Sequence, residues 1–301
     1  MVRGGKFCLA ITPSAQEQVD ILPNLSHTQP MTAPTHDWTI DQDWSAYSAA
    51  EHQVWTTLYD RQAGLLPGRA CEAFLGGLDK LNLHQGGIPD FARLNEDLGQ
   101  LTGWSIVAVP GLVPDEVFFD HLAHRRFPAG RFIREAHQLD YLQEPDVFHD
   151  VFGHAPMLAE PVFADYMQAY GEGGLRAGRF AQLHHLARLY WHTVEFGLLE
   201  TPAGLRIYGA GIVSSKKETL FALEDPTPHR LGFGLERLMR TPYRIDDLQP
   251  TYFVIPSLAA LLDATLQDFG LLYDRLADSA DIPIGVVLAE DAKFEANRQV
   301  G

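Results

Sequence analysis

Two imidazoles five residues apart in an apolar stretch, Glu144-Pro145-Asp146-Val147-Phe148-His149-Asp150-Val151-Phe152-Gly153-His154, are the densest chemical signal in this chain. Neutral imidazole is a ligand for iron, copper, zinc or nickel. Five steps along a regular α-helix rotate a side chain by roughly 140°, so His149 and His154 do not share a face as an i, i+4 pair would. Convergence on one ion requires a bend or a π-type turn, and Gly153 sits where such a distortion is tolerated. In a chain with 13 histidines, an isolated pair at this spacing is more often two unrelated, partly buried side chains.

The segment Tyr190-Trp191-His192-Thr193-Val194-Glu195-Phe196-Gly197 changes that balance by placing a carboxylate inside an apolar helical pattern. A buried Glu needs a compensating partner. With His149 and His154, Glu195 completes a set of two histidines and one carboxylate, which leaves coordination positions open for oxygen and substrate and suits non-haem iron(II). Zinc peptidase chemistry fits less well because the HExxH spacing and its catalytic Glu are absent. His121, His124, His184, His185 and His192 read as packing or hydrogen-bonding residues. Arg134 alone reads as a surface ion-pair residue, and Tyr208-Gly209-Ala210-Gly211-Ile212-Val213-Ser214-Ser215 as a Gly-rich turn.

These residues must be carried by a mainly helical body. Ser48 and Glu51 have capping-box spacing ahead of Val54, Trp55, Leu58 and Tyr59, a helical face that stops before Pro67-Gly68. Pro89 suits the first turn of a helix bearing Phe91, Leu94, Leu98 and Leu101, and Pro145 and Pro161 read as two more helix starts. Leu183, Leu186, Ala187, Tyr190, Val194 and Leu198 line one face of a helix expected from about 179 to 200. Strands are expected at Trp104 to Val109, Leu205 to Tyr208 and Tyr252 to Ile255, with no alternating βαβ pattern.

Composition narrows the partners. The 301 residues carry 46% hydrophobic side chains, enough for one substantial core, and a formal charge of −16 that opposes nucleic acid and anionic membranes. The apolar runs are too short to span a bilayer. Two cysteines, Cys8 and Cys71, suggest no disulfide framework, so a cytoplasmic protein is expected. Residues 1–35, with four prolines among polar side chains, read as a disordered tail; 36–285 read as the globular unit and 286–301 as a C-terminal tail.

Together, EPDxxHxxxGH, YWxTVEFG and YGAGxxSS resemble the motifs of the pterin-dependent aromatic amino acid hydroxylases, over roughly Trp38 to Pro283. The resemblance implies a single catalytic domain, mainly α with small β elements. It also implies a monooxygenase that converts L-phenylalanine to L-tyrosine with O2, Fe(II) and tetrahydrobiopterin or a related tetrahydropterin. The family's metal ligands fall on His149, His154 and Glu195. Its substrate-carboxylate arginine falls on Arg134, oriented by Asp146, while Pro145, Trp191, Phe196, Gly211, Ser214 and Ile245 fall around the substrate. Trp191 and the aliphatic Ile245 imply preference for phenylalanine over tryptophan and tyrosine. The pterin positions fall on Gly111, Leu112, Val113, Asp115, Phe118 and Asp150, with Phe118 stacking on the heterocycle. Asp150 stands where other members have Glu, and Leu142-Gln143 where animal members have Thr-Pro. A monomer is implied, because the regulatory domain and assembly helix of animal members are not visible. Other readings of the residues are a different iron(II) oxygenase, such as a 2-oxoglutarate-dependent one, and a non-enzymatic helical binding protein.

Overall fold

The computed structural model describes residues 37–140, 144–177 and 182–297; the expected N-terminal tail and Leu142-Gln143 lie outside them. Helix α1 (Ala49–Leu65) starts at the predicted capping box: Ser48 Oγ accepts from the Glu51 N–H, and Glu51 reaches back to the Ser48 N–H. Its buried face of Val54, Trp55 and Leu58 covers the metal-candidate segment, with Trp55 edge-on to Phe148 at 5.2 Å. Helices α2 (Glu72–Lys80) and α3 (Phe91–Thr102) follow. Pro89 precedes the α3 N-cap, Asp90, rather than opening the first turn, because the Asp90 side chain accepts the Ala92 N–H.

Strand β1 (Ser105–Val109), helix α4 (Asp115–Ala123) and strand β2 (Arg126–Gly130) form a β-α-β unit with parallel strands. Next comes a π segment, Phe148–His154, continued by α5 (Ala155–Leu158). This is the distortion that the His149/His154 spacing demands: i→i+5 hydrogen bonding brings residues five apart onto nearly the same face. Pro145 lies three residues before this segment, whereas Pro161 does open α6 (Pro161–Ala177).

The expected helix to residue 200 is shorter. Helix α7 (Leu183–Tyr190) passes into a second π segment, Trp191–Glu195, closed by a Phe196 N–H to Trp191 O bond of 2.9 Å. The chain then becomes strand β3 (Leu198–Thr201), because pairing with two strands outweighs helical periodicity there. Strand β4 (Gly204–Ile207), helices α8 (Ala210–Val213) and α9 (Lys216–Glu224), strand β5 (His229–Gly232), helix α10 (Leu235–Met239) and strand β6 (Thr251–Ile255) follow. Helices α11 (Leu258–Thr265) and α12 (Phe269–Ala277) and strand β7 (Lys293–Phe294) complete the chain. The five-stranded sheet runs β4-β3-β6-β5-β7, and β7 docks a piece of the segment read from sequence as tail onto β5.

Helix α8 packs against both π segments. A Cβ on Gly153 would lie 3.0 Å from Ala210 Cβ, and one on Gly209 would lie 2.5 Å from Glu195 O. Gly153, whose φ is not positive, thus permits a close approach, and an added Cβ would need Ala210 to give way. One continuous core, including the stacked Phe148 and Phe152 at 4.7 Å, surrounds the paired π segments. Among the described residues, no helix is long and apolar enough to cross a membrane.

Candidate active site

The first π segment presents His149 and His154 with ring centroids 5.3 Å apart and planes at 87°. The second brings Glu195 between them: Oε2 lies 3.5 Å from His149 Nε2 and Oε1 lies 3.3 Å from His154 Nε2. Burial alone would raise the Glu195 carboxyl, but the two imidazoles outweigh it and hold the group below its ordinary value. Burial lowers His149 to about 4, so its ring is neutral and Nε2 has a lone pair to give. The tautomer follows from Ser214. Its hydroxyl donates to Ala210 O at 2.7 Å, so toward His149 Nδ1, at 3.0 Å, it acts as acceptor and keeps the proton on Nδ1.

A second carboxylate is near. Ligand atoms of His149, Asp150 and His154 lie within 4.8 Å of one another. Asp150 Oδ2, however, accepts the Gly130 N–H at 2.8 Å, and burial pushes that carboxyl well above the usual range. Glu195, with an oxygen toward each imidazole, and Asp150, with one oxygen held by a backbone N–H, are unequal donors for a cation.

His149 and Glu195 open onto a cavity of about 590 Å³. Arg134, Pro145, Trp191, Phe196, Gly211, Ser214 and Ile245, all expected from sequence to surround the substrate, line it together with His149 and Glu195. Asp146 stands behind Arg134. Its oxygens accept from Arg134 Nε and Nη2, both at 2.8 Å, and from the backbone N–H groups of Arg134 and His149 at 2.9 and 3.1 Å. One fully buried carboxylate thereby ties the guanidinium to the first ligand candidate. Trp191 lies against Phe196 at 4.8 Å and stacks on Tyr243 at 4.2 Å with planes 12° apart.

Gly111, Leu112, Val113, Phe118 and Asp150 line a separate cleft of about 30 Å³, room for about one water. Glu144 and Pro145 border both spaces. Asp115 lies outside the cleft lining, in the first turn of α4. Phe118 is 4% exposed and edge-on to Phe119, Phe127 and Tyr190, and Leu112 at the rim of the cleft is 42% exposed. Glu218 and Gln249 also line the cavity, with Tyr243 stacked behind Trp191, and were not identified from sequence as site residues, since single residues brought together from distant segments leave no local pattern.

Known proteins resemble this chain over most of its length. The profile described as biopterin-dependent aromatic amino acid hydroxylase matches residues 39–277. A Caulobacter vibrioides protein named phenylalanine-4-hydroxylase is 68% identical over 263 residues, 87% of this chain and 90% of that protein. The Chromobacterium violaceum phenylalanine hydroxylase structure with bound oxidized Fe(III) matches with a TM-score of 0.85 at 56% identity, covering 87% of this chain and 96% of that one. The structure of the same Chromobacterium violaceum enzyme with iron and phenylalanine bound matches with a TM-score of 0.83 at 55% identity, covering 86% and 94%. The chain belongs to the biopterin-dependent aromatic amino acid hydroxylases.

Proposed function

We propose that His149, His154 and Glu195 hold iron(II) and that the cavity beside them takes L-phenylalanine. The carrying observation is a neutral His149 and a neighbouring His154 turned toward the two oxygens of one buried, ionised carboxylate, with His149 and that carboxylate at the wall of an arginine-bearing aromatic cavity. Two nitrogens and one oxygen on one side of an ion suit iron(II) and leave the other side open. The chain is a phenylalanine-hydroxylating, pterin-dependent monooxygenase. Iron(II), with reduced pterin and O2, supplies the oxygen-atom chemistry that forms L-tyrosine.

The protein's part is binding and orientation. Asp146 occupies the Nε–Nη2 edge of Arg134, which leaves the Nη1–Nη2 edge to grip an α-carboxylate through two parallel bonds. Trp191, Phe196 and Ile245 provide an apolar wall for the ring. Ser214 holds the His149 tautomer. Gly111, Leu112, Val113 and Phe118, with Asp150 beside them, form the pterin cleft, and Asp115 acts from its edge. Membership of the family sets aside the other iron oxygenase and the non-enzymatic binding protein.

A cytoplasmic monomer completes the reading. Product analysis with phenylalanine, iron(II), O2 and tetrahydropterin tests the function: tyrosine formed in step with pterin oxidation is expected, and its absence would refute it. Light scattering tests the monomer, which a stable tetramer at low concentration would exclude.

A further inference from the structure

Gln249 is 2% exposed and lies where three parts of the cavity wall meet. Its carboxamide oxygen accepts from the Trp191 indole N–H at 3.1 Å and the Arg244 backbone N–H at 3.4 Å. Its amide nitrogen donates to the carbonyls of Arg244 at 2.8 Å and Asp247 at 3.4 Å. A primary amide has two N–H donors and two oxygen lone pairs, so all four are engaged. Reversing the amide would set its NH2 against two N–H groups and its oxygen against two carbonyls, so only one orientation fits.

This side chain is itself anchored. The Gln249 backbone N–H donates to Glu218 Oε1 at 3.2 Å, and the Tyr252 hydroxyl donates to the same oxygen. Burial pushes Glu218 up to about 7, against the lowering effect of those bonds. A carboxyl kept at this cost fixes the Gln249 backbone where strand β6 begins.

We propose that Gln249 is a positioning residue for substrate selection, setting the gap between the Trp191–Tyr243 stack and the turn that carries Ile245. The inference rests on the reading of the cavity as the phenylalanine site. Trp191 and Ile245 bound the ring from different elements, and Gln249 is the group hydrogen-bonded to both the indole and the turn. Its loss lets the gap widen, and a wider gap admits bulkier rings.

The test is Gln249→Met, which keeps the length of the side chain and removes its strong donors and acceptor. Specificity constants for phenylalanine, tyrosine and tryptophan are measured with the same tetrahydropterin, alongside iron content and tyrosine formed per pterin oxidised. Each neutral hydrogen bond of this kind is worth on the order of a fivefold factor, so losing the one to the Trp191 indole is expected to lower the preference for phenylalanine over tryptophan about fivefold. Iron content and pterin KM stay within about twofold of wild type, and coupling drops. A purely structural role would lower all three substrates in proportion, and that result overturns the proposal. A double-mutant cycle with Trp191→Phe sharpens it. Non-additive changes in the preference are expected, and additive ones overturn the coupling through Trp191. Should Gln249→Met not fold, Gln249→Glu keeps the acceptor for both N–H groups but loses both donors. It should still shift the preference through the freed turn, and an unchanged preference overturns the idea. Wild-type enzyme that makes no tyrosine from phenylalanine would sink the site reading instead.

Discussion

Replacing Arg134 by lysine separates substrate recognition from everything else in the site. The guanidinium meets Asp146 through Nε and Nη2, both at 2.8 Å, and still has a complete edge for a substrate carboxylate. A lysine ammonium is a single point with three rotatable donors: it can stay with Asp146 or reach the substrate, but it cannot reproduce both planar forks. At least one charge-assisted bond to substrate is lost, worth about 1.5–3 kcal/mol, which corresponds to a rise of about 10- to 150-fold in the phenylalanine dissociation constant. Arg134 does not line the pterin cleft, so the pterin constant should move less than about twofold. Calorimetric titration of both ligands, with steady-state KM values beside it, reads the two effects separately. Phe118→Ala should invert the pattern. Equal weakening of both ligands by Arg134→Lys, or an unchanged phenylalanine constant, would refute the reasoning.

Two further outcomes follow from the same geometry. Ser214→Ala removes the acceptor that keeps the proton on His149 Nδ1, so iron affinity measured by chelator competition should fall about 10- to 100-fold; an unaltered affinity would contradict the tautomer argument. Glu218 is pushed up to about 7 from 4.5 by burial. It binds its proton more tightly folded than unfolded, so its stabilising contribution is full below about pH 4.5 and is lost as pH rises through about 7. Urea unfolding of wild type should therefore lose about 2 kcal/mol relative to Glu218→Gln between roughly pH 5.5 and 8, and parallel stability profiles would count against it.

The metal-candidate geometry was legible in sequence because it is local. Two histidines five apart cannot share a regular helical face, and the π segment from Phe148 to His154 supplies the required turn. The Ser48–Glu51 capping box was legible for the same reason. The second π segment was not, since Trp191 to Glu195 continues an apolar helical pattern, and only pairing of Leu198 and Leu199 with strands β4 and β6 ends it. Nor was the close packing at Gly153, which comes from Ala210, distant in sequence. The hydrogen bonds that Gln249 accepts from Trp191 and donates to Glu218 span 58 and 31 residues, and such contacts leave no periodicity to read. Asp150 shows a different difficulty: its place beside His149 is plain from sequence, but the bond to Gly130 that ties one of its oxygens to backbone depends on strand β2.

The identity of the carboxylate ligand is the point on which the account turns, and iron stoichiometry decides it. Glu195→Gln and Asp150→Asn each remove one charge at constant size. Loaded with excess iron(II), desalted and assayed for metal, Asp150→Asn should retain about one iron per chain, as wild type does, while Glu195→Gln should lose most of it. Full iron occupancy in Glu195→Gln with loss in Asp150→Asn would contradict the assignment and move the carboxylate ligand from the second π segment to the first.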